Sequence, residues 1–385
     1  MSKLNKLISE LCPHGVEYKK TFEIKLESFW LMPSTPNYIE NGIPYITSKN
    51  VKNGNVSFED VSYISEDDYK QLSKNRKIEK NDLLITMIGT IGEMGFVKDN
   101  TQFYGQNLYL LRLNPAIINR KYYYYCFQSK KNEIISRKNP SSQGYIKAGS
   151  IEELKIPVPP LEIQNEIVRQ LDYYLELSSY LTLELLDRTS QYKYYANILF
   201  DDAKNSDYKY IKDVCSVIKG KSPIQKTKPG CFPMVVTTEQ RKTSDEYQFD
   251  SKSVCVPLIS SRGHGIASLN HVYYQEGKFA LGNILAAITP NNENQLLAKY
   301  LYYYLELTKD TTLVPLMKGG ANVAMHLSDI LTVKIPIPSV SSQKRIIYIL
   351  GLFDEYCTNL NNEINLRNTQ YCYYRDKILS FKEMK

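Results

Sequence analysis

The sequence predicts an α/β (α+β) chain built from two copies of one module. Three observations carry this reading: an internal repeat, a heptad seam present in both copies, and short β-type runs broken by polar turns. Residues 155–199 realign on residues 334–378 with a constant offset of 179 and no gap. Fifteen of the 45 aligned pairs are identical, against about three expected for a typical composition. They include Lys155/Lys334, Ile156/Ile335, Pro157/Pro336, Pro159/Pro338, Gln164/Gln343, Arg188/Arg367 and Tyr195/Tyr374. A period of this length is too long for a solenoid unit and marks a duplication. The same offset sets Tyr123, Tyr124 and Tyr125 on Tyr302, Tyr303 and Tyr304. The domains expected are a globular domain over 1–154, a junction and helix over 155–200, a second globular domain over 201–333, and a second junction and helix over 334–385.

The first globular stretch reads as mixed strands and turns. Residues 43–47, 82–86 and 108–112 are apolar or β-branched runs bounded by turn residues. In the second, residues 232–237 echo the first of these, and 254–259 and 284–288 follow. Turn glycines fall at matching places, Gly89 to Gly92 against Gly263 to Gly265, and Gly105 to Asn107 against Leu281 to Asn283. Each stretch ends in an Ile-Pro-x-Pro run, which is extended because proline pushes the preceding residue away from helix.

A long helix follows each junction. Seam positions at spacings of four and three are Ile167, Leu171, Tyr174, Ser178, Leu181, Leu185, Arg188, Tyr192, Tyr195 and Leu199, then Ile346, Leu350, Phe353, Cys357, Leu360, Ile364, Arg367, Tyr371, Tyr374 and Ile378 in the second copy. Sustained 3.5-residue periodicity is the coiled-coil pattern. An arginine interrupts both seams at one place, Arg188 and Arg367. It either reaches to water from the seam edge or fixes register. Two seams in one chain most simply pair with each other. Equivalent copies then require antiparallel helices with pseudo-two-fold symmetry and a globular domain at each end. The seam from residue 167 to residue 199 would span roughly 50 Å at 1.5 Å per residue.

Composition excludes several classes. The net charge of +7 allows a polyanion partner without demonstrating one. No run of apolar residues is long enough for a membrane helix, and the start lacks a signal core. Seven scattered cysteines without a C-x-x-C pair argue against a disulfide framework and for a reducing, cytoplasmic setting. The 32 tyrosines are matched by abundant lysine, so base stacking is not implied by tyrosine content alone.

Catalytic patterns fail on inspection. Gly220-Lys221-Ser222 resembles the end of a phosphate loop, but Cys215 stands where the first glycine belongs. Gly89, Gly92 and Gly95 lack dinucleotide spacing. The four histidines form no ligand-spaced set with cysteines or carboxylates, so no metal site is expected. Val158-Pro159-Pro160-Leu161 lacks the polar and aromatic residues of an amino-methyltransferase motif. No enzyme activity is expected of the chain itself.

The organisation resembles the specificity subunit of type I restriction–modification systems. The residues that carry the resemblance are Leu154 to Gln164, Val333 to Pro338 with Gln343, the helix after each, the closing run Tyr373 to Phe381, and Gly42 to Ile46. The run Asn197 to Phe200 is a weaker copy of that closing motif. The resemblance implies two target recognition domains, each reading one half of a split double-stranded DNA sequence. It implies two modification (methyltransferase) subunits that carry S-adenosylmethionine and methylate adenine at N6. It also implies restriction subunits that use ATP and Mg2+. No cofactor is expected on this chain. Alternatives are the recognition subunit of a type IIB-like enzyme, a coiled-coil scaffold without DNA specificity, and an unrecognised enzyme.

Base readers need donors and acceptors, and phosphate contacts need cations. Candidates in the first domain are Ser48, Lys49, Asn50, Arg76, Lys77, Ser141, Ser142, Gln143, Tyr145 and Lys147. Those in the second are Lys219, Lys221, Lys226, Gln240, Arg241, Arg262, His264 and Lys318. Base readout is expected of Asn50, Gln143, Arg241 and Arg262, and phosphate contact of the lysines.

Overall fold

The computed structural model describes residues 3–137, 144–203, 205–238, 240, 242–262 and 265–384. The chain divides into two compact units, residues 1–180 with 364–385, and residues 181–363. Each division point falls inside a long helix, so each unit holds part of both helices.

In the first unit an antiparallel sheet has the order Lys25–Leu31, Leu108–Leu113, Leu83–Thr86, Met94–Phe96. Strand side chains alternate between faces. Leu83, Ile85, Tyr109 and Leu111 therefore enter one core with the helix Arg120–Ser129, while Leu84, Leu108 and Leu110 enter another. That second core is closed by a small sheet in which Ile43–Ile46 pairs in parallel with Tyr104–Gly105. The second unit repeats the plan. Its strands Cys215–Lys219, Leu285–Pro290, Ser253–Pro257 and Tyr273–Gln275 follow the same order. Val254, Val256, Ala286 and Ile288 face one core, and Cys255, Leu285 and Ala287 the other. Phe232–Val235 pairs in parallel with Lys278–Leu281, at the place of Ile43–Ile46.

The junction prolines form a strand in both units. Tyr18–Lys20 pairs with Lys155–Pro157, and Tyr208–Tyr210 with Lys334–Pro336. A buried glutamine then locks each junction. Gln164 Nε2 donates to the carbonyls of Ile117 (3.0 Å) and Pro159 (2.7 Å), and its Oε1 accepts from Asn119 N (2.8 Å). Gln343 does the same with Gln295 (2.8 Å), Pro338 (2.9 Å) and Leu297 N (2.9 Å). Both glutamines are fully buried. Their identity in the repeat has a physical cause, since three backbone groups would otherwise be left unpaired inside the protein.

The tyrosine-rich helices, Arg120–Ser129 and Ala298–Thr312, correct the sequence register. Tyr122 donates to the carbonyl of Pro157 and Tyr300 to that of Pro336. Tyr125 bonds Asp172, and Tyr303 bonds Asp354 at 2.8 Å. The equivalent residues are thus Tyr122/Tyr300 and Tyr125/Tyr303, one step away from the expected pairing. The second copy carries one more residue between this helix and the junction. Repeat arithmetic would place Asp172 opposite Gly351. The carboxylate comes instead from Asp354, three residues further along the same helix face.

The long helices run Leu161–Ala203 and Val340–Ile378, beginning six residues before the seam read from the sequence. The Pro160 carbonyl already accepts from the amides of Ile163 and Gln164, a start that proline tolerates because it has no amide to lose. The seam is real. Ile167, Leu171, Ile346 and Leu350 are buried, and Tyr174, Leu181, Leu185, Phe353, Leu360 and Ile364 are half-buried at the expected spacing. The pairing is antiparallel within each unit. In the first, Tyr174 stacks on Tyr374 at 5.7 Å and Ser178 bonds Asn368. In the second, Tyr195 stacks on Phe353 at 5.8 Å and Tyr356 bonds Glu184. Tyr174 and Phe353 are repeat equivalents, as are Tyr195 and Tyr374. One stacked pair is therefore made twice with the helices exchanged. Arg188 turns out along its own helix to Glu184 and Gln191 and lies over the Tyr356 ring. Arg367 likewise donates to Gln370.

Candidate nucleic-acid interface

Strands that end together bring their following turns together. In the first unit, Ile43–Ile46 runs into the turn Ser48–Asn50, and Leu83–Thr86 into the turn of Gly89 to Gly92. Gly89 has φ of +77°, and a Cβ there would lie 3.5 Å from Ser48 Oγ. Ile88 bridges to Tyr145. Ser48, the glycine turn and the segment of Tyr145 and Lys147 thus form one edge of the unit, with Lys49 and Lys147 exposed. Ser141, Ser142 and Gln143 lie outside the described residues.

Three first-unit candidates are placed differently. Asn50 is only 5% exposed. Its side chain accepts from Thr47 N at 3.0 Å and donates to the Glu59 carbonyl at 3.1 Å. Both ends of the amide are thus engaged within the fold, one by the turn and one by the segment at Glu59, rather than presented at the edge. Arg76 is exposed but tethered to the Trp30 carbonyl at 3.1 Å. Lys77 is exposed, and its carbonyl accepts from Arg112. A cavity of about 490 Å³ lies beside Arg112, which is held by Asp82 and Glu27.

In the second unit Lys219 and Lys221 flank Gly220. A Cβ on Gly220 would come within 2.1 Å of the Gly282 carbonyl oxygen. Gln248 clamps both neighbours, accepting from Lys221 N and donating to the Lys219 carbonyl, each at 2.9 Å. The Gly220-Lys221-Ser222 run is therefore a close chain crossing that exposes two lysines, and the glycine serves packing. Lys226 and Gln240 are also exposed. Exposed Arg262 follows Ser260, whose hydroxyl accepts from its amide. Lys318 bridges Ala324, which bridges Ile259, so Arg262 and Lys318 sit on adjoining loops. Arg241 and His264 lie outside the described residues.

The same edge of the second unit holds a polar cleft that the sequence did not reveal. Two adjoining hollows of about 370 and 260 Å³ share Thr237, Asn270, His271 and Tyr273 as walls. The cleft forms because the loop after Ser253–Pro257 is longer than its counterpart after Leu83–Thr86. In the first unit the short turn closes on itself, with Thr86 Oγ1 bonded to the Thr90 carbonyl. Among the described residues no group of three His, Cys, Asp or Glu side chains could hold a metal ion. Among them, too, no helix is long and apolar enough to cross a membrane.

Known proteins share this arrangement. The chain is 28% identical over 288 residues to the EcoR124I/EcoR124II specificity subunit of Escherichia coli, covering 68% of this chain and 70% of that one. Its fold matches the type-I restriction-modification system S subunit from M. genitalium, with a TM-score of 0.58 and 16% identity over 95% of this chain and 96% of the other. A chain solved in a study of complex assembly and conformational transition of the type I R-M system matches at 0.59, again with 16% identity, 95% of this chain and 96% of that one. The model of the type I restriction modification DNA specificity domain matches residues 23–187 and again residues 203–367. Two matched domains cover most of the chain, and it belongs to the type I restriction modification DNA specificity family.

Proposed function

We propose that the chain is the non-catalytic sequence reader of a type I restriction–modification complex. Each unit would read one half of a split duplex target, the first through the edge of Ser48, Lys49, Tyr145 and Lys147. The second would use Lys219, Lys221, Arg262, Lys318 and the cleft beside them. The observation that carries this is the duplication itself. The sheet order, the glutamine-locked junctions and the stacked helix pair recur in both units, while the turns at the strand ends differ. A shared frame with divergent edges suits two different half-sites and one common kind of partner.

The partners supported by the family are two methyltransferase subunits and, for cleavage, restriction subunits. S-adenosylmethionine, ATP and Mg2+ would enter with those subunits. This chain would bind and orient the duplex while a partner extrudes the adenine it methylates. Its lysines would supply sequence-independent affinity, and hydroxyl, amide and guanidinium groups the discrimination. The test is methyl transfer to plasmid DNA by the modification subunit with and without this chain. Transfer that needs both proteins is expected. Equal transfer by the modification subunit alone, or transfer by this chain alone, would overturn the reading.

A further inference from the structure

We propose that Asn270 and Thr237 are specificity-determining residues for the second half-site, with Glu306 as the positioning residue that holds them in place. The proposal rests on the reading above and adds residues to it. Both side chains are exposed walls shared by the two hollows of the cleft. No hydrogen bond to the Asn270 amide or the Thr237 hydroxyl occurs among the described residues. Their neighbours are differently placed. Ser260 Oγ is occupied by the Ile266 carbonyl and the amides of Arg262 and Ser268. Ser261 Oγ is turned to the Ser268 carbonyl, and Thr238 Oγ1 to that of Gln240. Among the described residues the cleft therefore presents the amide of Asn270, with a donor and an acceptor side by side, and the hydroxyl of Thr237. An amide of this kind matches the donor–acceptor pair at N6 and N7 of adenine, and a hydroxyl suits any base edge.

The wall is held rigid from behind. Glu306, on the tyrosine helix, accepts from the Val272 amide at 2.7 Å, faces His271 Nδ1 at 3.3 Å and is paired with Lys309 at 2.8 Å. That fixes the backbone one residue beyond His271 and so aims Asn270. Thr237 lies two residues past the strand Phe232–Val235, as Ser48 lies two past Ile46 in the first unit. The corresponding turn of the first unit closes on itself through Thr86 and the Thr90 carbonyl, so the two half-sites are read by different means.

The test uses the complete complex with its modification subunits and duplexes carrying the motif read from the host methylome, each with one base pair changed. The wild-type complex should discriminate against changes in both halves. Asn270→Ala should lose about five- to 150-fold of discrimination at one base pair of one half, the range that one bidentate amide contact supplies. Thr237→Val should relax a neighbouring position in the same half. Glu306→Gln should blunt the same positions as Asn270→Ala while leaving the other half intact. Asn270→Asp keeps the side-chain volume and should fail at the same base pair, which separates readout from misfolding. Unchanged discrimination in the alanine and valine variants would overturn the proposal. So would equal loss at every position of both halves, the signature of a phosphate or purely structural role. Absence of any split motif for the wild-type complex would instead overturn the reading on which the proposal rests.

Discussion

Replacing either junction glutamine should weaken one unit by a similar amount. Gln164→Ala strips the partners from two carbonyls, those of Ile117 and Pro159, and from the Asn119 amide. Each orphaned buried group costs about 1–3 kcal/mol. Water admitted to the vacated space returns part of that, leaving about 2–4 kcal/mol. For a cooperative unit of about 200 residues, 1 kcal/mol moves the midpoint by roughly 2–4 °C. A 3 kcal/mol loss therefore lowers Tm by about 6–12 °C. Gln343→Ala should do the same to the second unit, because its three bonds match in kind and length. Gln164→Glu is the sharper variant. It keeps the acceptor for Asn119 but turns a carboxylate oxygen toward two carbonyls, so at neutral pH it should be at least as damaging as alanine. Differential scanning calorimetry of the full chain measures all three. A fall of less than about 2 °C in either alanine variant would show that water replaces the side chain without cost.

Four further outcomes are expected. Tyr303→Phe leaves the Asp354 carboxylate without its hydroxyl partner and should cost the second unit about 1–3 kcal/mol by denaturant titration. Burial holds the Asp354 carboxyl above the usual carboxylate range. The folded state then binds that proton more tightly than the unfolded chain, so its stabilising share is complete below about pH 3.9 and is lost as pH rises through the raised value. Asp354→Asn should remove that slope from a stability–pH profile. A double-mutant cycle on Tyr195 and Phe353 should give a coupling of about 0.5–1.5 kcal/mol, matched by Tyr174 with Tyr374. Lys221→Ala should weaken DNA binding by the complex uniformly across sequences and reduce the log–log salt slope by about one. A change confined to one base position would assign Lys221 to readout instead.

The sequence disclosed what recurs and hid what differs. The repeat located the junction strands, the long helices and the seam, because packing constrains Ile156, Gln164, Ile167 and Leu171 in the same way as Ile335, Gln343, Ile346 and Leu350. The expected strands at 43–47, 82–86 and 108–112 formed within one residue at every end. Tyr18–Lys20 and Tyr208–Tyr210 escaped notice, since three-residue strands with polar side chains carry no periodic signal. The helix Lys3–Leu11, which packs Leu4 into the first core, was missed as well.

Contact residues were the least legible. Residue type alone put Asn50 among the candidates, though its amide is engaged by Thr47 N and the Glu59 carbonyl, and passed over Asn270. The difference lies in which backbone groups each amide finds nearby, and only the folded turn decides that. Spacing already excluded a phosphate loop at Gly220 and Lys221, and the closeness of Gly282 supplies the reason for the glycine, which spacing did not. Thr237 could have been found by carrying the match of Ile43–Ile46 with Phe232–Val235 two residues past the strand, onto Ser48.

The central claim is that this chain chooses where adenine is methylated. It is tested most directly by long-read mapping of N6-methyladenine in the native host with and without the gene. A split motif that loses methylation on deletion and regains it on complementation is the predicted result, and it also reads out both half-sites. An unchanged methylome, with the modification subunit expressed in both strains, would contradict it.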